Sequence, residues 1–173
     1  MKLIVFVGAG VSQNSNLPSW NDLVNNLAKD LGIEKRIIPE KLEETLSNEQ
    51  KEILKSCKIY YNTDECLKIP QYYFNEFGEK EYNNKLHEIF QERSEPNPID
   101  YLVLELDPKH IITTNYDNLL ETTANNISKT PYSKVASDRE LALALNNNLI
   151  IKMHGELDTI VLKERDYDTY TFR

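Results

Sequence analysis

The stretch VFVGAGVSQNSNLPSWNDLV, Val5 to Val24, decides how this chain folds. Its left end completes KLIVFVG, Lys2 to Gly8, a short apolar run rich in β-branched residues and closed by glycine. Such a run predicts a strand buried on both faces. Its right end is helical. Ser19 is placed to cap a helix with Asp22 at the third helical position, and Trp20, Leu23, Val24, Leu27, Ala28 and Leu31 recur at helical spacing until Gly32. Strand, glycine loop and helix in that order open an α/β layer.

The remaining segments extend the pattern. From about 39 to 93 the chain is dense in Glu, Lys, Asn and Tyr, with Leu42, Leu46, Ile53, Leu54, Tyr73, Phe74, Phe77, Leu86, Ile89 and Phe90 at helical intervals. This predicts a helical insertion in which QYYFNEF supplies the core face of a helix rather than the wall of a pocket. Pro98 suits a first helical turn, with Ile99, Leu102, Val103 and Leu106 on one side and an end before Pro108. A second strand is predicted at His110 to Thr113, then a polar turn and a helix beginning near Asp117. Ser137 and Glu140 form a capping pair ahead of ELALALNN. LIIKMHG, Leu149 to Gly155, is the third strand, and TIVLKERDY adds a fourth. The expected class is α/β: a Rossmann-like, mostly parallel sheet with helices on both faces, in a single domain over 1–173.

Composition narrows the partners. A net charge of -8 with no Lys/Arg-rich run excludes a surface built for nucleic-acid backbone or anionic membrane, since phosphates need clustered cations. No apolar stretch approaches the ~20 residues of a membrane span, and no signal-peptide layout opens the chain, so the expected location is the cytoplasm. Cys57 and Cys66 stand too far apart for a paired zinc site and too few for a disulfide framework, so free thiols and no metal are expected.

In parallel sheets ligands sit beyond the carboxyl ends of the strands, and here three strands end in GAGVS, TTNYD and MHGELD. Gly8 and Gly10 allow close approach of backbone to a phosphate, although Gln13 occupies the third-glycine position of the dinucleotide fingerprint and Gly-x-Gly also serves as a plain tight turn. Ser12 either donates to a phosphate or holds the turn. Asn115 and Asp117 suit a carboxamide, a ribose hydroxyl or a water, and one of them equally suits the cap of the next helix. His154 brings an imidazole with a pKa range for general-base work to a strand end; a structural histidine is its other reading. His87 and His110 fit surface or structural roles.

Together GAGVSQNSNLPSW (8–20), TTNYDNLLE (113–121) and KMHGELD (152–158), with TIVLKERDY (159–167) as a softer match, resemble the sirtuin superfamily, specifically its bacterial branch of antiphage-defence NAD hydrolases. The resemblance spans residues 3 to 167. It implies that Gly8, Ala9, Gly10 and Ser12 form an NAD phosphate-binding loop and that Pro18 and Trp20 lie in the loop over the nicotinamide end. It further implies that Asn115 and Asp117, with Thr114 beside them, contact nicotinamide and its ribose, and that His154 is the catalytic histidine. NAD is then the substrate, and its nicotinamide–ribose bond breaks through an oxocarbenium-like state, with His154 as base and Asn115 placing the attacking water.

Departures choose among reactions. The four-cysteine zinc module and the arginine after Pro18 found in deacylating sirtuins are missing, which favours hydrolysis of NAD to nicotinamide and ADP-ribose, or a cyclic product, in antiphage defence. Longer relatives continue with a Gly-Tyr-Ser-type loop around the adenosine half, so a C-terminally truncated domain, one completed by a second copy or a defence-system partner protein, or a reduced domain with poor catalytic power is expected. A non-catalytic NAD- or ADP-ribose-sensing or interaction module is the alternative. A nicotinamide-dependent dehydrogenase is weaker on account of Gln13.

Overall fold

A computed structural model describes residues 2–33, 40–57, 60–90, 94–144 and 148–169 of the chain. The limits of the expected insertion at Pro39 and Arg93, the end of ELALALNN and the last four residues of TYTFR lie outside the described residues.

Four strands, β1 (Ile4–Val7), β2 (His110–Thr113), β3 (Tyr132–Val135) and β4 (Asn148–Lys152), form a parallel sheet in the order β1-β2-β4-β3. Parallel neighbours require long crossovers, and helices supply them. Between β1 and β2 come α1 (Trp20–Asp30), α2 (Glu40–Glu43), α3 (Asn48–Ser56), α4 (Thr63–Phe90) and α5 (Pro98–Glu105); α6 (Leu119–Ile127) joins β2 to β3, α7 (Asp138–Leu143) joins β3 to β4, and α8 (Glu164–Asp168) follows β4. The chain is therefore α/β, with a parallel, Rossmann-like sheet flanked by helices.

Two buried clusters hold these layers. One face of the sheet places Val7, Ile111 and Ile150 against Val103 and Leu104 of α5 and Leu120 and Ala124 of α6. The second cluster joins Leu23, Val24 and Leu27 of α1 to Ile69, Tyr73, Tyr82 and Leu86 of α4, with Ile160 and Leu162. Of the α1 stripe read from the sequence, Leu23, Val24, Leu27 and Ala28 are buried and Leu31 packs against them, while Trp20 stays exposed; the cap is formed by both arms of the Ser19–Asp22 box. Among its described residues the 39–93 region is built of three helices, α2, α3 and α4, joined by short turns, with α4 broken by Gly78 at φ 81°. Tyr73 of QYYFNEF is core, packed against Phe77 at 4.6 Å between ring centres, while Phe77 itself stays exposed.

Three expectations are corrected. β1 is not buried on both faces: it lies at the edge of the sheet beside β2 among the described residues, and the face that carries Ile4 and Phe6 is left open, with these residues 55% and 63% exposed. The α5 stripe is displaced, because the helix turns Asp100, Val103 and Leu104 inward and leaves Ile99, Leu102 and Leu106 outward. TIVLKERDY is not a strand. Gly155, at φ 74°, turns the chain away after β4, so Ile160 and Leu162 enter the α1–α4 core and Lys163 and Asp166 cap α8. The fourth strand is instead YSKV, Tyr132–Val135, whose short, half-polar edge pattern lacks the apolar density that marks central strands.

Candidate functional site

Strand register brings the three motifs to one edge. Val7 pairs with Thr113, and Thr113 with Lys152. Gly8 therefore begins its loop directly past this row, while Asn115 stands two residues beyond Thr113 and His154 two beyond Lys152. Neighbouring strands lie about 4.8 Å apart, so the amide and the imidazole leave adjacent strands at the same level. The hydrogen bond from Met153 N to Thr113 O, 2.8 Å, carries the pairing one step past the ladder.

The glycine loop is a turn followed by one turn of 3-10 helix over Ser12–Ser15, with α1 starting only at Trp20. Val11 N donates to Gly8 O and Ser12 N to Ala9 O, so those two N–H groups hold the turn. Gly8, Ala9 and Gly10 are exposed, and a Cβ at Gly8 or Gly10 meets no atom within 4 Å. The loop thus offers an open backbone surface beside β2.

Ser12 ties this loop to the second motif. Its buried hydroxyl donates to Asp117 Oδ2 at 2.7 Å and accepts from Asn115 Nδ2 at 2.8 Å. Asn115 Nδ2 also donates to Gly8 O at 3.3 Å, and Asn115 N donates to Thr113 Oγ1 at 3.0 Å. Asn115 Oδ1 is buried without a hydrogen-bond partner among the described residues. Asp117 fulfils the capping alternative as well: Oδ1 accepts from Leu119 N at the start of α6, 3.1 Å. The helix accordingly begins at Leu119 rather than at Asp117.

His154 is half-buried, and its burial lowers its pKa from the ordinary histidine value, favouring the neutral imidazole. Two tyrosines frame the ring: Tyr116 at 6.4 Å and Tyr167 of α8, edge-on, at 5.7 Å between centres. Tyr116 is fixed in turn by donation from its hydroxyl to Val161 O at 3.0 Å and by an edge contact with Phe90. Burial also pushes its phenol far up, so this neighbour stays uncharged. The arrangement holds a neutral nitrogen base beside a positioned amide.

Thr114 is half-buried within the TTNYD turn. Pro18 and Trp20 lie on the segment entering α1, Trp20 40% exposed; no hydrogen bond or ring contact joins them to Asn115, Asp117 or His154 among the described residues. His87 reaches Asp158 at 3.0 Å in an exposed pair. Cys57 and Cys66 form no disulfide among the described residues. Among the described residues no three His, Cys, Asp or Glu side chains gather as a metal site, and no helix is long and apolar enough to cross a membrane.

One supporting residue escaped the sequence. Asn97 is buried and donates through Nδ2 to Val11 O and Ser15 Oγ, both at 2.9 Å, while Oδ1 caps α5 at Ile99 N. It fixes the glycine loop from beneath. Its signal was the capping box in Asn97-Pro98-Ile99-Asp100, in which Asn97 N donates in return to Asp100 Oδ2. Burial raises the Asp100 carboxyl pKa, and the nearby Asp117 charge adds to the effect.

Residues 109–173 match the SIR2-like domain family. The chain is 35% identical over 175 residues to defense-associated sirtuin 2 of Bacillus subtilis, a match covering 98% of this chain and 15% of that protein. It is 24% identical to the NAD(+) hydrolase ThsA of Cytobacillus dafuensis and 27% identical to that of Enterococcus faecium, covering 96% of this chain and 29% and 31% of those proteins. The chain thus spans under a third of the length of these curated relatives.

Proposed function

Since this chain belongs to the SIR2-like family, we propose that it is the NAD-cleaving domain of a bacterial antiphage-defence protein, hydrolysing NAD to nicotinamide and ADP-ribose. The observation that carries this reading is the common level of Asn115 and His154 on adjacent strand ends, beside the open Gly8–Gly10 backbone. The relatives' names, NAD(+) hydrolase and defense-associated sirtuin, agree with it.

In this reading the backbone N–H groups of Gly8, Ala9 and Gly10 receive the phosphates, while Ser12, whose own N–H holds the turn, keeps the loop in shape. Thr114 and Asp117 contact the ribose and nicotinamide, and Pro18 and Trp20 border the nicotinamide end. The bond from ribose C1′ to the pyridinium nitrogen breaks, its electron pair neutralising the nicotinamide ring. Water adds to C1′, and its proton passes to the neutral His154 and on to solvent. Asn115 Oδ1, an acceptor without a protein partner among the described residues, suits a bond from that water or from a ribose hydroxyl. No metal takes part. An intramolecular attack would give a cyclic product from the same bond cleavage. The domain works in the cytoplasm, alone or within a homo-oligomer or a complex with another defence protein.

Incubating the full chain with NAD and following free nicotinamide tests the reading. Turnover that disappears in His154→Ala and in Asn115→Ala supports it; no release at high protein concentration, in any oligomeric form, removes the enzymatic claim. A second reading draws on Asp117, whose two oxygens are both already used by Ser12 and Leu119. It makes the chain an NAD- or ADP-ribose-binding module without turnover, and calorimetry showing binding with no released nicotinamide selects it.

A further inference from the structure

We infer that Lys152 is the positioning residue of this site, the group that sets the Asn115–Asp117 turn against the strand bearing His154; the inference rests on the cleavage reading for its kinetic consequence alone. Lys152 is the last residue of β4, and its side chain is 0% exposed. Lysine is rarely buried to that extent, because an ammonium loses several kcal/mol of hydration unless close partners replace it. Here four oxygens surround it. Nζ donates to Tyr116 O at 3.2 Å, to Asp117 O at 2.5 Å and to Asn118 Oδ1 at 3.1 Å, and Glu121 Oε1 of α6 lies at 3.1 Å.

The choice of acceptors matters more than their number. An ion pair with Glu121 would by itself anchor β4 to α6, and an apolar side chain would do so without the desolvation. Neither would gather two successive backbone carbonyls. The carbonyls of Tyr116 and Asp117 belong to the peptide planes on either side of the Asp117 Cα, so holding both at one nitrogen fixes the φ and ψ of Asp117. Asp117 then holds Ser12, and Ser12 holds the Asn115 amide, through bonds of 2.7 and 2.8 Å. Because His154 follows Lys152 by two residues on the same strand end, one side chain sets the spacing between the amide turn and the imidazole. Glu121 supplies the neutralising charge, and its own side chain is only 15% exposed.

The test compares Lys152→Met, Lys152→Arg and Glu121→Gln in the full chain, by hydrogen exchange of a peptide covering 114–119 and by NAD turnover. Lys152→Met keeps the bulk and removes the donors. Expected are exchange at 114–119 at least about tenfold faster with β1 and β2 still protected, and kcat down about a hundredfold while the KM for NAD moves less than about threefold, because the phosphate loop is untouched. Glu121→Gln leaves the carbonyl bonds in place but the buried ammonium without its counter-charge, so it should lower global stability while exchange in this peptide rises no more than in β1 and β2 and kcat changes by less than about threefold. Should Lys152→Met not fold, Lys152→Arg carries the test, since its wider fork cannot hold the same two carbonyls and is expected to loosen 114–119 in a folded protein. Wild-type exchange and wild-type kcat in the folded lysine variants overturn the proposal. Glu121→Gln matching the lysine variants overturns it too, in favour of a plain ion pair. A wild type that releases no nicotinamide removes the cleavage reading alone, and exchange at 114–119 then decides the role of Lys152 by itself.

Discussion

The Ser12 hydroxyl donates to Asp117 Oδ2 at 2.7 Å across 105 positions of sequence, and the same oxygen accepts from Asn115 Nδ2. One small side chain therefore joins the glycine loop after β1 to the amide turn after β2. Ser12→Ala strands a carboxylate oxygen and weakens an amide that Gly8 O alone would then hold. Leaving such groups short of a partner costs about 1–3 kcal/mol, and the expected result is a lower denaturant midpoint at unchanged slope together with slower nicotinamide release. Wild-type stability and turnover in Ser12→Ala would show that the bond organises nothing.

The glycines separate a ligand surface from a structural turn. A Cβ at Gly8 or Gly10 meets no protein atom within 4 Å, whereas a Cβ at Gly155 would stand 2.5 Å from Thr159 O, at a φ of 74°. Gly155→Ala is expected to lose about 2 kcal/mol or more, because strain and overlap add. Gly8→Ala and Gly10→Ala are expected to keep the wild-type melting temperature while the KM for NAD rises about tenfold, since the added methyl occupies space a pyrophosphate would need. Unchanged KM in both would take the phosphates away from this loop.

Burial lowers the pKa of His154, and burial first, then Lys109 and Lys2, lowers that of His110. Above the ordinary histidine value of about 6.5 both rings are neutral folded or unfolded and contribute no pH dependence. As pH falls through that value, the unfolded chain takes up protons that the native rings still refuse. Stability therefore falls with pH until the depressed native values are passed. Urea midpoints measured from pH 7 down to about 5, above most carboxylate titration, should decline in the wild type and flatten in a His154→Gln/His110→Gln double variant. The acid limb of kcat/KM should likewise lie below the usual histidine range. An acid limb at or above 6.5 would count against His154 as the base.

What the sequence carried was mostly local. The Ser19–Asp22 box, the α1 stripe and the positions of β2 and β4 follow from spacing and capping alone, and all are present. The convergence of GAGVS, TTNYD and MHGELD was legible because strands of a parallel sheet end on the same side whatever their order. Order itself was not legible. β1 reads as a strand buried on both faces, yet Phe6 is 63% exposed, because which face of a strand is covered is a tertiary fact. Ile160 and Leu162 alternate as a strand would, and only the turn at Gly155 shows that they point into the helical core instead. Asn97 and Lys152 escaped for a related reason: each acts on backbone carbonyls, and carbonyls leave no mark in a sequence.

Asn115 offers the sharpest separation of binding from chemistry. Its Nδ2 is engaged twice while Oδ1 is buried and unpartnered among the described residues, so the side chain is oriented and one acceptor is left for a donor from outside the protein. A ligand that fills this acceptor stabilises only the folded state, by about 2.7 kcal/mol at a hundred times its Kd. His154→Ala removes the base but none of these bonds, so NAD should raise its melting temperature about as much as it raises that of the wild type, with no nicotinamide released. Asn115→Asp exchanges the donor facing Ser12 for a second carboxylate near Asp117, and should lose both the NAD-induced shift and the turnover. A full NAD-induced shift in Asn115→Asp would mean that the amide contacts no part of the ligand, and Asn115 would then leave the site.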